Sequence, residues 1–164
     1  MTRPLGSKGA VYVEFLMAFV PIFVLFLSLV QLTLVELADL VTKHAAVTAA
    51  RAAMVVLGDD PGAYGNAAVE QAAGQRLDDI TLAAKAPLMS IDPLPNVTLT
   101  LPSAAGGSDS KTSFGRDDLV HVRLEYKFPC TVPIAKTLVC GVLSTKTLVT
   151  EAAMPNQGAD YAYQ

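Results

Sequence analysis

Apolar positions are distributed unevenly along this chain. Residues 15–35 carry no charge, and only Pro21, Ser28, Gln31 and Thr33 dilute a run of Leu, Val and Phe. About 20 apolar residues, each rising about 1.5 Å, match the roughly 30 Å hydrocarbon core of a bilayer. The apolar core of a secretory signal is shorter, about 7–15 residues. The small-residue stretch 45–53 resembles a signal-peptidase site but lies well past the apolar run. The pattern therefore predicts one membrane-spanning helix over 10–35. Arg3 and Lys8 precede it, and Glu36 and Asp39 follow. The positive-inside bias then keeps the N-terminus cytoplasmic and the remainder outside, in the periplasm of a two-membrane bacterium.

The helix is expected to continue over 36–57, where Gly and Pro are absent, Ala is abundant, and Leu37, Val41, Thr48 and Val55 fall near one face. Gly58, with Asp59-Asp60-Pro61-Gly62 behind it, is a stop and turn signal. A helix from 10 to 57 would measure roughly 70 Å. Ala45-Ala46, Ala49-Ala50 and Ala52-Ala53 permit close approach, as at interfaces with other helices, although Ala also simply favours helix. Pro21 falls inside the span and predicts a kink or a gap in its hydrogen bonding.

Residues 58–164 read as a small α+β domain. Asn66 is placed to cap a helix on which Val69, Ala73, Leu77, Ile80 and Ala84 share a face, ended by Pro87, Pro93 and Pro95. Residues 97–101 alternate as a strand, and 102–115 form a Gly/Ser-rich loop expected to be mobile. The clearest strand is 120–128. Val120, Val122, Leu124, Tyr126 and Phe128 face one way, and His121, Arg123, Glu125 and Lys127 the other. Such alternation marks an antiparallel sheet with one wet face. A weaker third strand is expected near 144–154, followed by a loose tail over 155–164. No internal repeat is evident.

Composition narrows the function classes. Twelve Lys+Arg against 15 Asp+Glu leave a net charge of −3, without the basic surplus a nucleic-acid partner requires. Hydrophobic residues make up 52% and charged residues 16%, whereas soluble domains carry roughly 25% charged residues. The chain is too apolar for a plain cytosolic domain and is not disordered. Two Cys and two His leave little material for a metal centre, and neither a metal nor a cofactor is expected. His44 and His121 read as surface residues, with no suggestive nucleophile order around them. Asp59-Asp60, Asp78-Asp79 and Asp117-Asp118 lack the alternating ligand pattern of a calcium loop. No catalytic residue is assigned. Tyr161 and Tyr163 in the tail are available to a partner.

One carboxylate stands out. Glu14 lies just inside the apolar segment, where a charge costs about 2.5–3.5 kcal/mol at mid-depth and less near the interface. By itself it also reads as an interfacial residue, or as a carboxylate favoured by a helix N-terminus. Its surroundings are Lys8-Gly9-Ala10-Val11-Tyr12-Val13-Glu14-Phe15: a short basic leader, a Gly, four residues, a Glu, then the apolar helix. This resembles the processing site of type IV prepilins. The resemblance implies cleavage between Gly9 and Ala10 by a membrane aspartic peptidase. Residues 1–9 become a removed leader, Ala10 the new N-terminus, and Glu14 the fifth mature residue. An α-ammonium at Ala10 of one subunit would neutralise Glu14 of a neighbour, making Glu14 a registry device.

Gly-x-x-x-x-Glu-Phe, the nearby Pro21, the Ala-rich stretch 44–53 and the late segments 120–128 and 147–154 are similar to the TadE/TadF-type minor pilins of tight-adherence (Flp) pilus systems. The likeness covers the first 57 residues and, more loosely, the last 45 or so. Two features depart from it. Pro21 stands one residue later than the family spacing, and Gln31 stands near where many members carry a second acid. The resemblance implies a minor pilin or pseudopilin, powered by a separate cytoplasmic ATPase. Its implied partners are other pilin subunits through the N-terminal helices, the prepilin peptidase, the inner-membrane assembly platform and the lipid bilayer. Cys130 and Cys140 would both lie outside the cytoplasm, where a disulfide contributing roughly 2–3 kcal/mol is expected; two buried free thiols are the alternative. The rival functions are a signal-anchored envelope scaffold that joins no filament and a membrane-tethered periplasmic enzyme.

Overall fold

A computed structural model describes residues 7–156. The leader residues before Ser7, including Arg3, and the tail beyond Asn156, with Tyr161 and Tyr163, lie outside the described residues. The fold is α+β: one long N-terminal helix, then a small body around a three-stranded antiparallel sheet.

Helix α1 (Ser7–Leu57) runs unbroken through the apolar and the Ala-rich stretches. It stops at the expected Gly58 and begins three residues before the expected position 10. Pro21 sits inside it; its ring nitrogen has no hydrogen to donate to the Met17 carbonyl. The helix hydroxyls bond back one turn: Ser28 Oγ to the Val24 carbonyl at 2.8 Å, Thr33 Oγ1 to Leu29 at 2.9 Å, and Thr42 Oγ1 to Ala38 at 2.6 Å. Each hydroxyl is thereby satisfied without a partner from outside the helix, which matters most where water is absent.

The turn after α1 is a 3-10 helix, Pro61–Tyr64, with the Asp60 side chain accepting from the Gly62 N–H. Helix α2 (Gln75–Leu88) starts nine residues beyond Asn66, which corrects the expected cap. Asn66 adopts φ 62°, a left-handed conformation that Asn tolerates in turns, and the helix instead begins behind Gly74 at φ 56°. Its buried face is Arg76, Ile80, Ala84 and Leu88. Of the expected stripe, Ile80 and Ala84 are buried, Leu77 is half-buried, and Val69 and Ala73 precede the helix. Pro87 lies within the last turn, one residue before the helix ends.

Strand β1 (Val97–Thr100) pairs antiparallel with β2 (Leu119–Pro129), in register Val97 to Tyr126 and Leu99 to Leu124. Strand β3 (Thr145–Pro155) lies on the other side of β2. The alternation in β2 matches the expectation residue by residue. Val120, Val122, Leu124, Tyr126 and Phe128 are buried, while His121, Arg123 and Glu125 are half-exposed and Lys127 is exposed. On that wetter face Arg123 bonds Glu125 and, at 3.2 Å, Glu151 of β3. Helix α3 (Ala135–Cys140) was not predicted; it is a short turn inside the loop closed by the two cysteines. Residues 102–115 form no regular element, but they are tied down rather than loose. Phe114 is buried, its N–H donates to the Glu70 carbonyl at 3.0 Å, and Gln71 bridges Ser113. At the end of β3, Asn156 is buried and donates to the carbonyls of Asp118 and Gly115.

The chain forms two compact units, neither contiguous in sequence. One joins the part of α1 up to Glu36 with Pro129–Lys146. The other joins Leu37–Phe128 with the chain from Thr147 onward. The expected boundary at residue 58 is thus displaced, because the outer part of α1 belongs to the α+β body. There Ala38, Ala45, Ala46, Ala49, Ala50 and Ala53 are fully buried, whereas Leu37 and Val55 are exposed. The face anticipated from Leu37, Val41, Thr48 and Val55 is not the buried one. Of the three Ala pairs, all but Ala52, which is half-buried, are thus covered within the chain itself. Thr150 Oγ1 of β3 reaches the Thr42 carbonyl at 3.3 Å, so the strand lies close to that face, and small side chains permit such an approach.

Two buried polar groups lock this body. Tyr126 donates its hydroxyl to Asp92 at 3.1 Å, and its pKa is raised, first by burial and then by that bond. Arg76 is fully buried, its Nε has no hydrogen-bond partner, and no carboxylate among the described residues pairs with it. Its guanidinium donates to the carbonyls of Val56, Asp59 (3.0 Å) and Ala67 (3.3 Å), and lies 4.4 Å from the centre of the Tyr64 ring. The Val56 carbonyl is one of the last of α1, where the helix dipole favours a cation. A buried charge is tolerated here because oxygen lone pairs and a ring face surround it.

Candidate functional site

The candidate site is the first part of α1. Gly9 lies in the opening turn with ordinary helical backbone and is exposed. A Cβ built on it would meet nothing within 4 Å. The Gly9–Ala10 peptide bond therefore sits inside the helix, not in the extended form a protease cleft would hold. Terminal turns fray at little cost.

Glu14 is one helical turn beyond Ala10 and exposed, as is Phe15. Phe15, Phe19 and Phe23 stack along one stripe, with ring centroids 5.4 and 5.5 Å apart. Val11, Met17, Ile22 and Leu25 are likewise exposed. The helix over Val11–Leu57 is long and apolar enough to cross a membrane, and its most apolar window is unburied. It is a candidate membrane anchor. Exposed aromatic and aliphatic surface of this extent is unfavourable in water and suits lipid or the like surface of another copy.

Towards Glu36 the surface changes. Gln31 is fully buried, and its Oε1 accepts the Val132 N–H at 2.9 Å. Its Nε2 is buried without a partner. Cys130 and Cys140 are bonded, Cα to Cα 6.5 Å, and the Cys130 N–H donates to the Ser144 carbonyl at 2.9 Å. In the sequence Gln31 reads as a diluent of the apolar run and as a departure from the second acid of the resembled family, neither of which points to Val132. Its signal was an amide, the bulkiest polar side chain in an uncharged run.

The remaining polar candidates are dispersed in the α+β body. His44 is exposed on α1 and lines an open, largely apolar cavity of about 470 Å³ with Leu40, Val41, Ala86, Pro87 and Ser90. That lining includes no carboxylate to orient the imidazole. His121 is half-exposed on β2. The paired acids serve the chain itself. Asp59 accepts from the Asp60 N–H and the Tyr64 hydroxyl. Asp118 accepts from Lys111 Nζ at 2.6 Å and the Gly115 N–H at 2.7 Å. Those bonds hold the Asp118 carboxyl below its ordinary pKa, the backbone donor first and the Lys111 side chain next. Asp78 lies in the first turn of α2, where the helix dipole favours an anion. Among the described residues no three His, Cys, Asp or Glu side chains converge on one point. No family model, no curated protein and no solved structure matches this chain.

Proposed function

We propose that this protein is a minor pilin or pseudopilin of the tight-adherence type. It is inserted in the bacterial inner membrane with its N-terminus cytoplasmic and its C-terminal body periplasmic. It is trimmed between Gly9 and Ala10, and then joins a surface filament through the apolar part of α1.

The observation that carries this reading is Gly9. Glycine inside a helix costs about 1 kcal/mol relative to alanine, and a Cβ here would meet nothing within 4 Å among the described residues. The fold gives no reason for its absence. A peptidase cleft that must admit bare backbone does. Hydrolysis of the Gly9–Ala10 amide releases the basic leader as a carboxylate and leaves an α-ammonium on Ala10. At the fifth position of the trimmed chain, four residues after Ala10, Glu14 supplies the only carboxylate between the leader and Glu36. In an apolar array the ammonium of one copy and the carboxylate of the next lower each other's burial cost. Association in that register is favoured, and slipped registers leave a bare charge in the array. Because the Ala stripe beyond Glu36 is occupied within its own unit, subunit contacts fall to the large side chains before it.

The test is mass spectrometry of the mature N-terminus in cells with and without a prepilin peptidase, alongside sheared surface filaments. The expected chain begins at Ala10 when the peptidase is present and retains its leader when it is absent. Gly9→Leu should abolish trimming and filament entry while membrane insertion persists. Glu14→Ala should be trimmed normally yet enter filaments several-fold less. An untrimmed chain missing from every filament would leave only an anchored envelope scaffold.

A further inference from the structure

The cysteine-closed segment Pro129–Lys146 displays apolar side chains outward. Val142 is 92% exposed, Leu143 84%, Leu138 65% and Ile134 54%. Ile134 holds φ 66° and ψ −56°, the rare γ-turn conformation, closed by the Ala135 N–H on the Pro133 carbonyl at 2.7 Å and strained for a β-branched residue. The backbone thus accepts strain at a position where Gly would be relaxed, and the side chain it keeps there is exposed. The Cys130–Cys140 bond and the Cys130 to Ser144 hydrogen bond close the segment on itself. Its only charges are Lys136 and Lys146, both exposed and both basic.

The level of this segment along α1 is fixed by the Val132 N–H on Gln31. Gln31 lies five residues before Glu36, the first charge after the uncharged run. At about 1.5 Å per residue that is roughly 8 Å inward along the helix axis, comparable to the depth of one interfacial layer. With 15–35 across the bilayer, Gln31 falls inside the outer edge of the apolar slab. Its buried side chain is then shielded from lipid by the segment lying over it.

We propose that Pro129–Lys146 is a second membrane-contacting element, seated in the outer interfacial layer of the bilayer that α1 crosses, with Leu138, Val142 and Leu143 among the acyl chains. This rests on α1 being the membrane anchor. The occupant of the apolar surface is lipid because Val132 seats the segment at Gln31, where Leu29, Val30 and Leu32 of α1 are exposed as well. The two lysines also fit it, with long apolar stems and ammonium heads that reach anionic headgroups. The disulfide keeps the apolar residues on display where a free loop would fold them inward.

The chain contains no Trp, so single tryptophans report depth directly. Leu143→Trp and Val142→Trp are read in the full chain, reconstituted in phosphatidylcholine/phosphatidylglycerol vesicles brominated high on the acyl chain, and Phe23→Trp in parallel vesicles brominated near the chain end. Phe23→Trp marks the membrane helix and Leu94→Trp the water-exposed body. Both loop reporters should show blue-shifted emission and about twofold or greater quenching, as interfacial Trp does, with Leu94→Trp unquenched. Water-like, unquenched loop reporters beside a quenched Phe23→Trp would overturn the proposal and leave the anchor standing. Blue-shifted but unquenched loop reporters would mean that protein covers the surface, and would also overturn it. If Phe23→Trp itself were unquenched, the anchor and the second element would fall together.

Discussion

Across Glu36 a single helix changes how it uses its side chains. Before that residue the large ones, Phe15, Phe19, Phe23 and Leu25, point outward and lie exposed. After it the small ones, Ala45, Ala46, Ala49, Ala50 and Ala53, are buried, and Leu37, Leu40 and Val55 are exposed. Hydrophobicity alone does not separate the two stretches, since both are rich in apolar residues. Side-chain size does. Where a helix meets its own sheet at close range, Ala is the residue that fits; where it meets lipid or another copy, bulk is tolerated and adds contact area.

The contrast can be tested by perturbing each side separately. The largest effect is expected at Arg76, whose guanidinium ties the end of the Ala-rich stretch. Arg76→Ala leaves the Val56, Asp59 and Ala67 carbonyls without their donor and should destabilise the body by about 3–5 kcal/mol. Near-ultraviolet circular dichroism on heating in detergent would read this as an early loss of tertiary signal.

A paired substitution comes next. Ala49→Leu forces extra volume into a filled site and should cost about 1–3 kcal/mol. Leu25→Ala removes as many carbons as Ala49→Leu adds, but from an exposed position, and should shift the same melt by less than about 0.5 kcal/mol. Equal effects from the two would erase the distinction between the halves.

The smallest effect is in acid. The folded-state pKa of Asp118 lies below its ordinary value near 3.9. Its contribution is therefore complete above that value and fades as pH falls through the folded pKa. Urea midpoints of the body should drop between about pH 4 and pH 2, and Asp118→Asn should flatten that slope without removing it. Asp109, also held low by hydrogen bonds from Ser103, supplies part of what remains.

Strand β2 was legible to the residue because one of its faces is buried and the other wet, so a shift of one position would invert every side chain. The end of α1 was legible from Gly58 and the turn behind it. The start of α2 was not, because Asn66 is a residue type suited to a helix cap but sits in a turn at φ 62°, its backbone N–H on the Pro61 carbonyl. The Ala pairs announced close packing without naming the partner, since periodicity defines a face but not what covers it. Least legible was the pairing of Gln31 with Val132, which are 101 positions apart. No local pattern reports a bond of that span, and the five-residue spacing from Gly9 to Glu14 drew attention elsewhere.

The discontinuous make-up of both units decides how this protein can be divided for handling in water. A fragment starting at 58 would discard helical residues whose buried alanines fill the centre of the body, and would expose the core it was meant to isolate. A fragment starting at 37 keeps that core but retains the stapled 129–146 excursion without the stretch of chain it folds on. A well-behaved soluble version therefore needs two excisions, the anchor and the excursion together, with a short linker rejoining β2 to β3.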